Sequence, residues 1–255
     1  MEYHVLKDGW IKVPAADFQI HEKASPLSRL MIGLNQLLIR TSGKNVLIDT
    51  GLGNKWSQGE ISLLDFERPR KLITELSKYG YSPGDIDIVI LSHLHYDHSG
   101  GGTEIEANGQ IHPAFKNANY IVQEVEYNYA RNPLPDHSTD YINTDWEPLL
   151  KTGQLTLING ESWILPDVHV FPAPGHCPGH QVVVIETGLN TLFYPGDLFS
   201  TPEHANLVIT TSFDYDKEEL LKNRKKWLKI LENDNWDCFY CHKIREPISK
   251  LVPIA

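Results

Sequence analysis

Cysteine is scarce in this chain, with three among 255 residues, too few for a disulfide framework. Long apolar runs are missing too: none approaches the ~20 residues that a helix needs to span a bilayer. Met1 to Gly9 carries neither the basic flank nor the apolar stretch of a secretory leader. Together these absences lead us to expect a cytoplasmic protein. Positive charge is also short, 23 Lys and Arg against 33 Asp and Glu for a net charge of −10, which works against attraction to nucleic-acid phosphates or anionic lipid. The expected partner is a small molecule, with no nucleic acid and no membrane, and a homodimer stays open. No linker interrupts the sequence, so a single domain over residues 1–255 is expected, long enough to bury a substantial core.

What the chain does have is a dense histidine cluster. His93, His95, Asp97 and His98 fall within six residues, after the aliphatic run Ile88-Val89-Ile90-Leu91 and before Gly100-Gly101-Gly102. An apolar run of strand length followed by glycines predicts a tight loop at the end of a buried strand. On such a loop His93 and His95 can converge on one cation while Asp97 and His98 turn toward a second. Imidazole and carboxylate both ligate zinc-like metals at about 2.0–2.2 Å, and one tetrahedral ion could hardly use all four neighbours. A histidine-rich surface loop is the bland alternative, and the density against a strand end argues against it.

The run HLHYDHSGG resembles the HxHxDH signature of the metallo-β-lactamase superfamily, and further landmarks follow in the right order. Asp49-Thr50-Gly51 resembles the family's first motif, Pro174 to His180 its second histidine motif, Tyr194-Pro195-Gly196-Asp197 its bridging aspartate, and Cys241-His242 its last histidine. The resemblance implies an α+β fold, an αββα sandwich of two mixed β-sheets with helices on the outer faces and metals at one edge between the sheets. It also implies a ligand set: His93, His95 and His176 for a first ion, Asp97, His98 and His242 for a second, and Asp197 bridging them. Two divalent ions are therefore expected, zinc by default, with manganese, iron or cobalt also suited to nitrogen and oxygen donors. Asp97 is the expected catalytic proton carrier, His180 is expected to be structural, and Asp49 to accept hydrogen bonds that position the metal loop.

Gly196 to His204 resembles the branch containing N-acyl-homoserine lactonases, aryl esterases and methyl-parathion-type hydrolases. One departure stands out: Ser200 occupies the place of that branch's tyrosine, three residues after the bridging aspartate. The implied activity is hydrolysis of small neutral or hydrophobic lactones or carboxylic esters, N-acyl-homoserine lactones among them, by a hydroxide held between the ions. Phosphotriester or phosphodiester hydrolysis is the alternative within enzymes, and metal binding without turnover the alternative outside them.

Along the chain, Val5–Ile20, Leu30–Thr41 and Asn45–Ile48 read as strands of a first sheet, the last two joined at Ser42-Gly43-Lys44. Residues 51–64 look irregular and carry Trp56, a candidate lip of the cleft. Leu72, Ile73, Leu76 and Tyr79 recur at helical spacing, with Gly80 as the stop. Residues 109–115 are turn-rich, and a strand at Asn119–Val125 leads into a short helix. Residues 131–148 suit a flap over the site or a surface loop, and His137 within them is expected to be solvated. Further strands are expected at Leu155–Ile158, Val168–Phe171, Gln181–Glu186, Thr191–Tyr194 and Trp236–Tyr240, and a helix within 212–234 capped by Asp216 with Glu219. Tyr96, Phe199 and Trp56 line a pocket or pack in the core. Cys238 and Cys241 have redox spacing, yet buried thiols on a strand are the better reading.

Overall fold

Alternation along the strands decides which side chains meet. The computed structural model describes residues 1–18, 28–63, 66 and 71–251. Gln19 and Ile20 of the first expected strand, Leu64, and the tail beyond Leu251 lie outside the described residues. In chain order the first part comprises β1 (Glu2–Pro14), α1 (Ala15–Phe18), β2 (Arg29–Thr41), β3 (Lys44–Ile48), α2 (Gln58–Leu63), α3 (Leu72–Lys78), β4 (Ile88–Ile90), α4 (Tyr96–Ser99), β5 (Thr103–Ile105), β6 (Ile111–Pro113), β7 (Asn119–Gln123), α5 (Glu124–Ala130), α6 (Glu147–Lys151) and β8 (Leu155–Ile158). The second part comprises β9 (Ser162–Leu165), β10 (Val168–Pro172), β11 (Gln181–Glu186), β12 (Thr191–Tyr194), α7 (Lys217–Asp234), β13 (Asp237–Phe239) and β14 (Ile248–Lys250).

Two six-stranded mixed sheets result, ordered β1-β2-β3-β4-β7-β8 and β14-β13-β12-β11-β10-β9. Leu37, Ile39, Val46, Ile48 and Ile90 of the first meet Val170, Val183, Ile185, Tyr194 and Phe239 of the second in an apolar layer between the sheets. Their neighbours Leu38, Leu47, Val89 and Tyr120 point the other way, onto Leu72, Leu76, Trp146 and Leu149. On the far side Val182, Val184, Phe193 and Cys238 pack under Leu220, Trp227, Leu228 and Leu231 of α7. This is the expected αββα sandwich, and its period of two fixes register, because a one-residue slip would turn each strand inside out. None of the described helices is long and apolar enough to cross a membrane.

Some boundaries differ from those read off the sequence. The first strand ends at Pro14, where the chain turns into α1; proline at the last strand position removes a ladder donor. The stretch read as irregular contains α2, and the turn-rich segment contains β6, which pairs with β5 ahead of it. Asp216 does cap α7, accepting from the Glu218 and Glu219 N–H groups at 3.0 Å. The reciprocal half of the box is absent, because the Asp216 N–H bonds the Gly175 carbonyl instead, at 2.8 Å. Gly175 itself has φ 134°, and a Cβ there would lie 2.3 Å from the Leu220 nitrogen. The α7 N-terminus is thus seated on the residue before His176.

Lys55 straps the segment after β3 to the glycines that follow the histidine cluster. Its ammonium lies 3.0 Å from Asp145 Oδ1 and donates to the carbonyls of Thr103 and Gly100. Burial pushes the Asp145 carboxyl up to about 6 from 3.8, with Lys55 pulling it back. A carboxyl raised in the fold gives stability that is full below its unfolded pKa and is lost as pH rises through the folded one. In metal-free protein Lys55→Met is therefore expected to cost about 3–5 kcal/mol at pH 8, where the charge is stranded, and clearly less at pH 5, where Asp145 is protonated. Denaturant titrations giving equal penalties at both pH values would contradict this.

Candidate metal centre

Strands β3, β4, β12 and β13 all deliver their carboxyl ends to one edge of the sandwich. Asp49 follows β3, His93 to His98 follow β4, Asp197 follows β12, and His242 follows β13. The Pro174 to His180 turn, which enters β11, brings His176 to the same edge. All seven side chains singled out in the sequence meet there. His93, His95 and His176 form one buried group of potential donors, and His98, Asp197 and His242, with Cys241, form a second.

The spacing inside these groups is informative. Donors about 2.0–2.1 Å from a common tetrahedral centre stand about 3.3–3.4 Å apart. His95 Nδ1 and His176 Nε2 are 3.1 Å apart. Asp197 Oδ1 lies 3.3 Å from His242 Nε2 and 3.5 Å from His98 Nε2, while Oδ2 lies 3.4 Å from His176 Nε2. One carboxylate thus divides its oxygens between the two groups. Asp97 Oδ2 completes the second, 3.5 Å from His242 Nε2 and 3.7 Å from His98 Nε2.

Electrostatics point the same way. Burial, and then the neighbouring imidazoles, push His93 and His95 well below the ordinary histidine value, so both are neutral. The buried Nε2 of His93 has no hydrogen-bond partner, a costly state for a buried polar atom that a cation would relieve.

The far ring nitrogens are held. His98 Nδ1 lies 2.8 Å from Asp49 Oδ2, His176 Nδ1 2.9 Å from Asp214 Oδ1, and His93 Nδ1 3.0 Å from Ser92 Oγ. His242 Nδ1 donates to the Gly33 carbonyl at 2.8 Å. Such partners fix the tautomer and aim the other nitrogen at the centre. Asp49 behaves as expected, and more: it also accepts from Ser92 N, Ser92 Oγ and Tyr194 Oη at 2.7, 2.7 and 2.8 Å. It does so at φ 58°, a left-handed conformation that costs a non-glycine residue about 1–2 kcal/mol. His180 is structural: its Nε2 accepts the Asp197 N–H at 3.0 Å, and its Nδ1 lies 3.2 Å from the Ala173 carbonyl.

The superfamily model described as "Metallo-beta-lactamase superfamily" matches residues 33–242. This chain belongs to the metallo-β-lactamase superfamily. An N-acyl homoserine lactonase from a Bacillus species is 28% identical to it over 221 residues, covering 82% of this chain and 80% of the relative. The crystal structure of a probable metal-dependent hydrolase from Staphylococcus aureus superposes with a TM-score of 0.85 at 22% identity, over 99% of this chain and 96% of that one. A dizinc quorum-quenching lactonase in complex with a product superposes with a TM-score of 0.76 at 23% identity, over 99% and 94%.

Three residues of this metallo-β-lactamase edge were not singled out from the sequence as parts of the site. Asp214, which holds His176 and accepts the Thr211 N–H at 2.6 Å, sits two residues before the cap of α7, and no periodicity marks it. Glu126 is fully buried and accepts from the Leu94 and Gly179 N–H groups at 3.0 Å and from Tyr141 Oη at 3.2 Å, so it clamps both histidine loops together. Cys241 lies 3.2 Å from Asp197 Oδ1; burial, then Asp197, raises its pKa well above the ordinary value, so the thiol keeps its proton and donates. Strand alternation was the available signal for it, placing Cys241 on the inner face with Phe239. Cys238 points to the opposite face, beneath α7, so the two thiols do not form a redox pair.

An open cleft reaches the metal edge. Ile11, Val13, Phe18, Ile32 and Phe213 give it an apolar wall, and Tyr96 and Asp140 also line it. Tyr96 is therefore a pocket residue. Phe199 is not: it is fully buried with Leu198 in the α7 core. Trp56 stands behind Tyr96, ring centroids 5.2 Å apart, and is no lip. Residues 131–148 supply Asp140 and Tyr141, and Tyr141 packs on His95 at 4.8 Å, so the segment walls the site. His137 keeps clear of the metal edge, beside Tyr129 and Tyr215. Ser200 is buried outside the cleft lining. Asp214→Asn is expected to weaken divalent-metal affinity about 10–100-fold, read by chelator competition, with the fold intact.

Proposed function

We propose that this chain is a dinuclear metal-dependent hydrolase of small lactones or carboxylic esters, with N-acyl-homoserine lactones the first substrates to test. The observation that carries the reading is the Asp197 carboxylate, one oxygen facing His98 and His242 and the other facing His176. His93, His95 and His176 would hold one cation, Asp97, His98 and His242 the other, with Asp197 shared between the two groups. The dizinc neighbour favours zinc, and the lactonase relative favours the substrate class. The three unpaired thiols suit action in the cytoplasm.

Two divalent ions held there would supply a water of lowered pKa and polarise a substrate carbonyl. The chain's own residues supply the rest. Asp97 borders the second cation position and the cleft, where it takes the proton of the attacking water and returns it to the leaving oxygen. The wall of Ile11, Val13, Phe18 and Phe213 receives an acyl or alkyl chain and keeps bulk water off the reacting carbon.

Metal analysis joined to an assay panel of acyl-homoserine lactones, p-nitrophenyl esters and a paraoxon-like triester tests this. Two divalent ions per chain with lactone or ester turnover is the expected result. Triester turnover alone would replace the substrate class, and two bound ions with no turnover across the panel would leave a binding protein.

A further inference from the structure

A carbonyl under attack needs a hydrogen-bond donor aimed at the oxygen that gathers charge, and the cleft offers few. Of its polar lining residues, His95, His176, His242, Asp97 and Asp197 belong to the two cation nests, and Asp140 is a carboxylic acid. Two hydroxyls remain, on Tyr96 and Thr211. The Thr211 oxygen is buried with no hydrogen-bond partner, shut away from anything that enters the cleft.

Tyr96 is different on each count. It is partly exposed, and among the described residues its hydroxyl makes no hydrogen bond. Its position is nonetheless fixed. It sits between His95 of one nest and Asp97 of the other, its N–H bonds the Asp140 carbonyl at 2.9 Å, and its ring stands at 72° against Trp56. Trp56 is tied in turn to the Leu52 carbonyl by its indole N–H at 2.7 Å. A side chain anchored from behind, with its polar end unspent at the cleft, is a preorganised donor.

We propose that Tyr96 is a catalytic residue whose phenol O–H donates a hydrogen bond to the substrate's carbonyl oxygen as the carbon becomes tetrahedral. The inference rests on the ester or lactone hydrolase reading above. The attacking water forms the new carbon–oxygen bond and the carbonyl π pair moves onto the oxygen that faces Tyr96. When the carbonyl re-forms, the bond to the leaving oxygen breaks, and that oxygen takes the proton that left the water. Tyr96 gives up no proton at any stage.

Tyr96→Phe in the metal-loaded protein tests this while keeping the ring against Trp56. The expected result is a kcat about 10²-fold lower on lactone and aryl ester, with KM, metal content and thermal midpoint unchanged. Affinity for an alkyl phosphonate, a tetrahedral anionic mimic, should fall alongside it in calorimetry. A kcat within about twofold of wild type and unchanged phosphonate affinity would overturn the assignment, and so would a loss found in Thr211→Val and not in Tyr96→Phe. Absence of turnover by the wild-type protein would count against the hydrolase reading itself, and the phosphonate comparison would still report on the tyrosine.

Discussion

Asp197→Asn is expected to reduce turnover by about 10³-fold and to lower bound metal from two divalent ions per chain to one. The substitution conserves size and the backbone N–H that His180 accepts. What it removes is the equivalence of the two oxygens, one facing His98 and His242 and the other His176. An amide offers a single oxygen and turns an NH2 toward whichever nest it deserts. The Cys241 thiol, which donates to Oδ1, would compete for the oxygen that remains. Metal analysis by mass spectrometry beside kcat checks both effects, and a variant with two ions and full activity would remove Asp197 from the bridge.

Replacing Asp49 is expected to cost stability heavily. Asp49→Ala strands four buried donors, the Ser92 N–H and hydroxyl, the Tyr194 hydroxyl and the His98 ring. A loss of about 3–5 kcal/mol is expected, a fall in thermal midpoint of roughly 10 °C. Asp49→Asn separates strain from hydrogen bonding, because asparagine tolerates the left-handed conformation at φ 58°. It keeps one acceptor oxygen but sets an NH2 against either the Ser92 N–H or the donors that face Oδ2, so it should melt between wild type and the alanine variant. It should bind metal about 10–100-fold more weakly, since an uncharged partner no longer orients His98. Identical behaviour of the two variants in melting and in chelator competition would contradict this division.

The sequence made most of the candidate ligands legible because they stand at strand ends marked by a glycine or proline turn, His242 being the exception. Gly100 to Gly102 follow the histidine cluster, Pro174 and Gly175 precede His176, and Pro195 and Gly196 precede Asp197. The sheets were legible through apolar alternation, as in Leu37 and Ile39 facing inward while Leu38 faces outward. Asp214 and Glu126 were not, for a physical reason. Each is a lone carboxylate whose partners in the histidine loops lie 32 to 53 residues away in sequence, and no local pattern encodes a contact of that range. The end of β1 at Pro14 was missed because Ala15 and Phe18 continue an apolar pattern that suits a helical turn as well as a strand.

The Glu126 clamp has a bearing on how the centre is filled. With one oxygen on Leu94 and Tyr141 and the other on Gly179, it locks the two histidine loops at their mutual distance by contacts that involve no ion. Most of the conformational entropy of assembling the receptacle is therefore spent when the chain folds. Stripping the ions with a chelator should leave a folded apoprotein with native-like amide protection around both loops. Such a scaffold can exchange one divalent species for another without unfolding, so its resident ion is set by what the surroundings supply as well as by the donors.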